Sequence, residues 1–335
     1  MTRICVLKGD GIGREVIPWA VEVLKATGLS AGVVHPWEFV EGEIGWECFQ
    51  RRGTALPEET LALLKTCAAA LFGAVSSPSQ KVPGYRSPIV ALRREFNLYA
   101  NLRPVISAPI PASRPDIDLL IVRENTEGLY VQRERSDGET AVAERVITRA
   151  ASERIGRLAS ELASRRRQHL TIVHKANILP ETCGLFRASV RKAAADFPGL
   201  TIEEVLVDTM AMRLIRDPEH FDVVVTTNLF GDILSDEAAM LVGGLGLAPA
   251  GNIGQGMAIF EPVHGSAPDI AGKGIANPLA AMLSAAMLDD YLGYGEAGDR
   301  VRAAVSACLR EGYLTPDLGG KYSTSEVAKA VLKKL

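Results

Sequence analysis

Short apolar runs of strand length alternate with longer helical patterns along almost the whole chain, and this alternation constrains the fold more than any other feature. Residues 3–8, 68–74, 119–123, 170–174 and 223–227 read as buried strands, with short continuous apolar runs. Residues 13–26, 150–164, 184–196, 232–243 and 278–292 carry helical spacing, the first with Pro18 either tolerated or kinking it. Such alternation predicts an α/β fold with a largely parallel sheet. At 335 residues the chain has length for two domains of roughly 100–200 residues each. The proline-rich segment 104–115 and the glycine-rich segment 243–256 are the candidate crossings, so that one lobe would combine both termini.

Charge and cysteine usage exclude several classes of partner. A net charge of −3 gives no electrostatic footprint for nucleic acid or an anionic membrane. No apolar run approaches the roughly 18 residues of a membrane span. The start, Met1-Thr-Arg-Ile-Cys-Val-Leu7, is too short in apolar residues for a signal peptide and reads as a first strand. Cys5, Cys48, Cys67, Cys183 and Cys308 are scattered and form no C-x-x-C pair. Neither a disulfide framework nor a zinc site is expected from them, and a reducing cytoplasm fits.

The segment Lys8-Gly-Asp-Gly-Ile-Gly-Arg-Glu15 invites a dinucleotide-binding reading, but its spacing denies one. Glycines at 9, 11 and 13 followed by Arg14 do not give G-x-G-x-x-G, and no acid closes a clear βαβ unit about twenty residues on. These glycines suit a tight strand-to-helix turn instead.

Chemistry concentrates in five segments. Asn228-Leu-Phe-Gly-Asp-Ile-Leu-Ser-Asp236 places Asp232 and Asp236 four apart in an apolar run. At helical spacing they share one face, with Cβ atoms about 5–6 Å apart. Two carboxylates there repel, and apolar surroundings raise the cost of ionising both; a divalent cation would relieve both penalties. The alternative is a solvated face carrying two unrelated acids. Ser87-Pro88 reads as an N-cap and first helical residue, placing Arg93 one to two turns into a helix. Arg103 follows, and Arg123 opens Arg123-Glu-Asn-Thr-Glu-Gly-Leu-Tyr130 directly after a buried strand. These arginines suit a carboxylate cage or plain surface positions. Lys175 ends a strand, where it acts as a base if desolvated or merely as a solubilising charge. Asp208 reads as an acid ending the apolar strand around 205. The segment from Glu261 to Pro278, rich in glycine and proline, precedes a helix and either offers backbone N–H groups to phosphates or is merely a long loop.

Together these segments resemble the β-decarboxylating dehydrogenases of the isocitrate/isopropylmalate dehydrogenase family, from Gly9-Asp-Gly-Ile-Gly13 through Ala276-Asn-Pro278. The aspartate segment with Gly243-Gly-Leu-Gly-Leu247 downstream matches that family's signature. The resemblance implies an α/β, isopropylmalate-dehydrogenase-like two-domain fold with a large mixed sheet, not a standard Rossmann fold. Residues 1–99 plus 251–335 would form the nucleotide-binding domain, and 100–250 the dimerisation and metal/substrate domain. A homodimer or tetramer is implied, with the active site in the interdomain cleft borrowing residues from the partner. Residues 132–147 lie where relatives form an intersubunit arm.

Carried over by position, Arg93, Arg103 and Arg123 would hold the carboxylates of a malate core. Tyr130 matches the general acid. Lys175 and Asp208 match the pair given by a second subunit, and Asp208, Asp232 and Asp236 would surround Mg²⁺ or Mn²⁺. Ser77, Asn125, Glu127 and Asn177 match positions near a nicotinamide ring. His264 and Asn277 match the adenosine end, and Gly265, Ser266 and Ala267 the phosphates. Asp269 and Ile270 stand where NADP-preferring relatives have lysine and tyrosine. A carboxylate there accepts bonds from ribose hydroxyls and repels a 2′-phosphate, which favours NAD⁺.

Members differ in what reads the C3 substituent. Isopropylmalate enzymes place leucines at the helix turn that begins here at Ser87, and bacterial isocitrate enzymes a serine with an asparagine two positions on. This chain has Ser87, then Ile89 and Val90, with Arg86 nearby. One polar anchor over a more apolar floor suits a terminal carboxylate on a longer chain. The implied substrate is homoisocitrate, on the aminoadipate route to lysine, with isocitrate second and isopropylmalate or tartrate after it. A non-catalytic regulatory subunit of this family would lack a member of the Arg93, Tyr130, Lys175, Asp232 set, and none is missing.

Overall fold

The structure, a computed structural model, describes residues 2–29, 37–80 and 82–335. In chain order its strands are β1 (Thr2–Gly9), β2 (Trp37–Glu41), β3 (Ala69–Ala74), β4 (Ala100–Ile106), β5 (Asp118–Glu124) and β6 (Glu134–Ser136). They continue as β7 (Ala141–Ala143), β8 (His169–His174), β9 (Thr201–Leu206), β10 (Val223–Thr226), β11 (Pro249–Ile253) and β12 (Ala258–Pro262). The helices are α1 (Gly13–Leu29), α2 (Trp46–Arg52), α3 (Glu58–Leu64), α4 (Pro88–Glu95), α5 (Arg149–Ser164) and α6 (Thr182–Ala194). After them come α7 (Val207–Arg216), α8 (Asn228–Leu241), α9 (Leu279–Tyr291), α10 (Gly295–Arg310) and α11 (Thr324–Leu332).

The chain forms two compact units, one of Met1–Phe96, Ala108–Ser113 and Gly243–Leu335, the other of Asn97–Ser107 and Arg114–Val242. The chain thus changes unit at 96/97, 107/108, 113/114 and 242/243, where the expected division had crossings at 99/100 and 250/251 alone. Each unit carries a run of five strands of mixed direction, as the α/β expectation required. None of the described helices is long and apolar enough to cross a membrane.

In the first unit the strands run β2-β1-β3-β12-β11, parallel except for β11 against β12. Helix α1 runs through Pro18 without a break and buries Val16, Ile17, Ala20 and Leu24 in a core shared with Ala285, Leu288 and Val301. The valine, isoleucine and leucine side chains among these contribute about 1.5–3 kcal/mol each by leaving water. The glycine turn after β1 is structural. Gly9 and Gly11 have φ of 71° and 53°, and a Cβ on either would collide with the backbone of Ala74 or Ser266. Between them, Asp10 is buried and accepts backbone N–H groups from Trp46, Glu47 and Ser76 at 2.7, 3.0 and 2.9 Å. It therefore pins the start of α2 to the end of β3. Trp46 packs on Phe49 and Tyr85, and Trp37 on Tyr294.

In the second unit the order is β4-β5-β10-β8-β9, with β4 antiparallel to β5 and the rest parallel. Val223, Val224 and Val225 of β10 are buried, as expected of a parallel strand covered on both faces. The aspartate helix begins earlier than its sequence suggested, at Asn228 rather than 232, so Asp232 lies in its second turn. Gly231 has a local cause: a Cβ there would lie 2.7 Å from both Cβ and Cγ of Arg123. Asp208 does not end a strand. β9 stops at Leu206 and Asp208 sits in the first turn of α7, where the helix dipole favours an acid. The 132–147 segment contains the exposed ribbon β6–β7.

Candidate active site

Strand β5 and helix α8 bring the strongest chemistry together within the second unit. Arg123, at the end of β5, is 1% exposed. Its Nε and Nη2 donate to Asn228 Oδ1 at 3.0 and 2.7 Å, and its Nη1 donates to Asp232 Oδ1. Arg103, on β4, donates from Nη2 to the same Asp232 oxygen at 3.3 Å and from Nη1 to Asp236 Oδ1 at 2.9 Å. Tyr130 gives its hydroxyl proton to Asp232 Oδ2, and its ring lies 5.1 Å from Arg123 Cζ. The i,i+4 aspartates thus share two guanidinium groups, and Tyr130 closes on the first of them. An unpaired buried guanidinium would be strongly destabilising, about 3–5 kcal/mol for a broken buried pair. Burial pushes the Asp236 carboxyl up, although Arg103 opposes the shift.

Three supporting residues escaped the sequence reading. Asn101 Oδ1 accepts from Arg103 Nε at 2.7 Å, Ser235 Oγ from Arg103 Nη1 at 2.6 Å, and Asn228 takes both remaining arms of Arg123. Asn101 and Arg103 are two apart on a strand and share a face, a periodicity that would have found the first of them.

Lys175, one residue beyond β8, donates to Asp208 Oδ1 at 2.7 Å. That bond holds the Asp208 carboxyl below the usual carboxylate range. Among the described residues, Asp208, Asp232 and Asp236 of one chain do not bring three oxygens within 4.8 Å of one another. Asp232 and Asp236 alone offer hard oxygen donors of the kind Mg²⁺ and Mn²⁺ take, and they suit such an ion with a further carboxylate supplied. Asp208 shares the outer face of α7 with exposed Met212 and Ile215, and Asp236 shares that of α8 with exposed Ile233 and Met240.

Asn125 and Glu127 are buried and tied into the fold. Asn125 Nδ2 donates to Leu98 O at 3.1 Å, while Glu127 accepts from the Thr148 N–H and hydroxyl at 2.8 and 2.9 Å, which anchors the start of α5. Burial pushes the Glu127 carboxyl up. Asn177 is exposed beyond Lys175.

In the first unit, Ser87 and Pro88 take the N-cap and first positions of α4 as expected, but the Ser87 side chain makes no capping bond. Arg93, six residues into that helix, is buried, and Ser77 is exposed. The 261–278 loop is held by Ser266, whose carbonyl accepts from Ile12 N at 2.9 Å and whose Oγ bonds Ser76 Oγ at 2.8 Å. His264 Nε2 is buried with no partner, and burial pushes the imidazole's pKa down. A neutral ring with an unmet ring nitrogen fits a nucleotide base. Gly265 has open space where a Cβ would stand, and Ala267 adopts φ of 40°. Asp269 is exposed and Ile270 half-buried. Asn277 is committed within the protein: its Oδ1 accepts from Leu279 N at 3.0 Å and its Nδ2 donates to Asp317 at 3.0 Å.

Residues 3–331 match the family model described as isocitrate/isopropylmalate dehydrogenase. The chain is 59% identical over 334 residues to the isocitrate/homoisocitrate dehydrogenase of Thermus thermophilus, covering 99% of this chain and 98% of that one. It is 50% identical over 345 residues to the homoisocitrate dehydrogenase of Methanocaldococcus jannaschii, covering 99% and 97%. Other relatives, at 45% to 50% identity, carry isopropylmalate names. The crystal structure of an isocitrate dehydrogenase from Methylococcus capsulatus superposes with a TM-score of 0.94 at 41% identity, covering 100% of this chain and 99% of that one.

Proposed function

The chain belongs to the isocitrate/isopropylmalate dehydrogenase family of β-decarboxylating dehydrogenases, and from that premise we propose that it converts homoisocitrate to 2-oxoadipate and CO₂ with NAD⁺ as oxidant. The observation that carries the reading is the clustering of Arg103, Arg123, Tyr130, Asp232 and Asp236, two cations and a phenol around paired acids. Guanidinium forks bind carboxylates bidentately, so Arg103 and Arg123, together with Arg93, hold the substrate's malate core. Lys175 of the partner subunit takes the proton of the 2-hydroxyl, with Asp208 of the partner subunit beside it. As hydride leaves C2, the β-carboxylate is positioned to depart as CO₂, and Tyr130 returns a proton to C3. Asp232 and Asp236, with Asp208 of the partner subunit, would hold Mg²⁺ or Mn²⁺, which supplies Lewis-acid polarisation of the hydroxyl and of the developing enolate. Ser77, Asn125, Glu127 and Asn177 lie toward the nicotinamide in this reading. His264, Gly265, Ser266, Ala267, Asp269, Ile270 and Asn277 serve the adenosine and phosphates.

The homodimer in this scheme is supported by the exposed apolar side chains on α7 and α8, which border the acids. Homoisocitrate is favoured by Ser87 above Ile89 and Val90, one polar anchor with an apolar floor. A single methylene discriminates by only about 1–3 kcal/mol, so turnover of isocitrate at a lower rate is expected. The reaction suits a cytoplasmic place in lysine biosynthesis. The test is NADH formation by the purified chain with Mg²⁺ on homoisocitrate, isocitrate, isopropylmalate and tartrate. The highest kcat/KM on homoisocitrate is expected; no turnover on any, or faster turnover of isocitrate or isopropylmalate, would sink the reading.

A further inference from the structure

Two imidazoles and a carboxylate meet at the end of β8 opposite Lys175. His169 opens β8, Glu203 lies on β9, and His220 closes the short 3-10 turn Pro218–His220. Their potential ligand atoms all lie within 4.8 Å of one another. Both Nε2 atoms reach a single oxygen, Glu203 Oε2, at 3.3 Å from His169 and 2.8 Å from His220. The other oxygen, Oε1, is held by Arg213 Nη1 at 2.6 Å, and Arg213 also pairs with Asp217 at 2.9 Å. His169 Nδ1 lies 3.3 Å from the His220 carbonyl oxygen. A carbonyl only accepts, so that contact makes Nδ1 the N–H donor and leaves Nε2 with its lone pair in the neutral ring. With Nε2 unprotonated, its lone pair faces a carboxylate oxygen, so either a proton or a metal ion belongs between them.

We propose that His169, Glu203 and His220 form a binding site for a transition-metal ion of the zinc class, separate from the aspartates. Tetrahedral ligands at about 2.0–2.1 Å from zinc stand about 3.3 Å apart. The His169–Glu203 separation already has that value, and His220 needs to withdraw by about half an ångström. Two nitrogens and one carboxylate are an established zinc donor set, with the fourth position left to water. The Nδ1–H to carbonyl bond is the orienting contact that ligating histidines make, and Arg213 orients the glutamate in the same way. No cysteine takes part. β8 is six residues long, so the site lies about 20 Å from Lys175 along the strand. Other charges nearby are Asp222, whose Oδ2 lies 3.5 Å from His169 N, and Arg166 and Arg167, which it pairs with. The ion would tie β9, at the end of the second unit's strand order, to the turn that leads into β10.

The test uses the full chain with Asp232→Asn, which weakens metal binding at the aspartates, stripped by chelation and then titrated with Co²⁺ and Zn²⁺. One Co²⁺ per chain with the intense visible d–d bands of a four-coordinate ion is expected. His220→Ala, the most exposed of the three, should abolish those bands and weaken zinc binding by more than the roughly ten- to hundredfold cost of losing an orienting partner. In the otherwise unaltered chain, H220A should leave NADH formation unchanged. X-ray absorption of the zinc-loaded protein decides without any substitution at the site: two imidazole ligands are expected. An all-oxygen shell, or bands that survive both H220A and H169Q, would overturn the proposal.

Discussion

The arginine–Asp232 network and the Lys175–Asp208 pair belong to the same unit but are built in opposite ways. In the first, a guanidinium that is 1% exposed has every arm engaged, and both oxygens of Asp232 are taken by groups of its own chain. In the second, a lysine just past a strand end meets an exposed aspartate in the first turn of α7. The first is preorganised by its chain alone, which suits groups that bind and orient. The second faces outward beside exposed Met212 and Ile215, which suits groups that complete another copy's site.

Breaking the inner network should have the largest effect. Asp232→Asn removes the negative charge between the two arginines and one of the two acceptor oxygens, and with them the donor proposed for the metal, so kcat/KM for homoisocitrate should fall by at least about a thousandfold, read by NADH formation at saturating Mg²⁺. A fall below tenfold would mean that the network is structural only. Lys175→Met breaks the outer pair, and a general base is worth about a hundred- to ten-thousandfold. The loss should appear in kcat with the melting temperature nearly unchanged, because the pair is exposed. A large loss of stability would instead mark Lys175 as part of the fold.

A third acid sharpens the contrast. Asp289 on α9 is 1% exposed, accepts from Thr27 Oγ1 at 3.1 Å, and has a second oxygen, Oδ1, buried without a partner. Burial pushes its carboxyl up to about 7, with Asp290 adding to the shift and Arg300 and Arg302 opposing it. From about pH 4 to 7 the unfolded chain has released this proton while the folded one keeps it. Stability therefore falls as pH rises through that window and levels off above it. Three pKa units correspond to about 4 kcal/mol. Asp289→Asn should remove most of this slope and stabilise the protein at pH 8, measured by denaturant unfolding at pH 5 and pH 8. An unchanged slope would assign the pH dependence to other groups. The smallest effect is expected at Asp269→Lys, where the NAD⁺ to NADP⁺ preference should shift by about tenfold, or 1.4 kcal/mol. An unchanged ratio would count against that loop as the ribose site.

The inner network was largely legible in the sequence because its spacing is local. Asp232 and Asp236 at i,i+4 announce a shared helix face, and Arg123 ends a buried run. What sequence could not give depends on pairing between distant segments. His169, Glu203 and His220 meet only because parallel registry sets Glu203 opposite Thr171 and brings the 218–220 turn back beside β8. Asp208 was placed at a strand end because an apolar run says nothing of where β9 yields to α7. Asn277 and Glu127, expected near the cofactor from their family positions, also have fold partners that the sequence did not announce: Leu279, Asp317 and Thr148 share hydrogen bonds with them.

Subunit mixing tests most directly whether the two regions complete one another's sites. Chains carrying Asp232→Asn and chains carrying Lys175→Met, each inactive alone, are unfolded together, refolded as a mixture and assayed for NADH and CO₂ from homoisocitrate. One site in each mixed dimer then holds both intact groups, so the mixture should regain roughly a quarter of wild-type activity by random pairing. A mixture no more active than its parents, although mixed dimers have formed, would contradict the shared site.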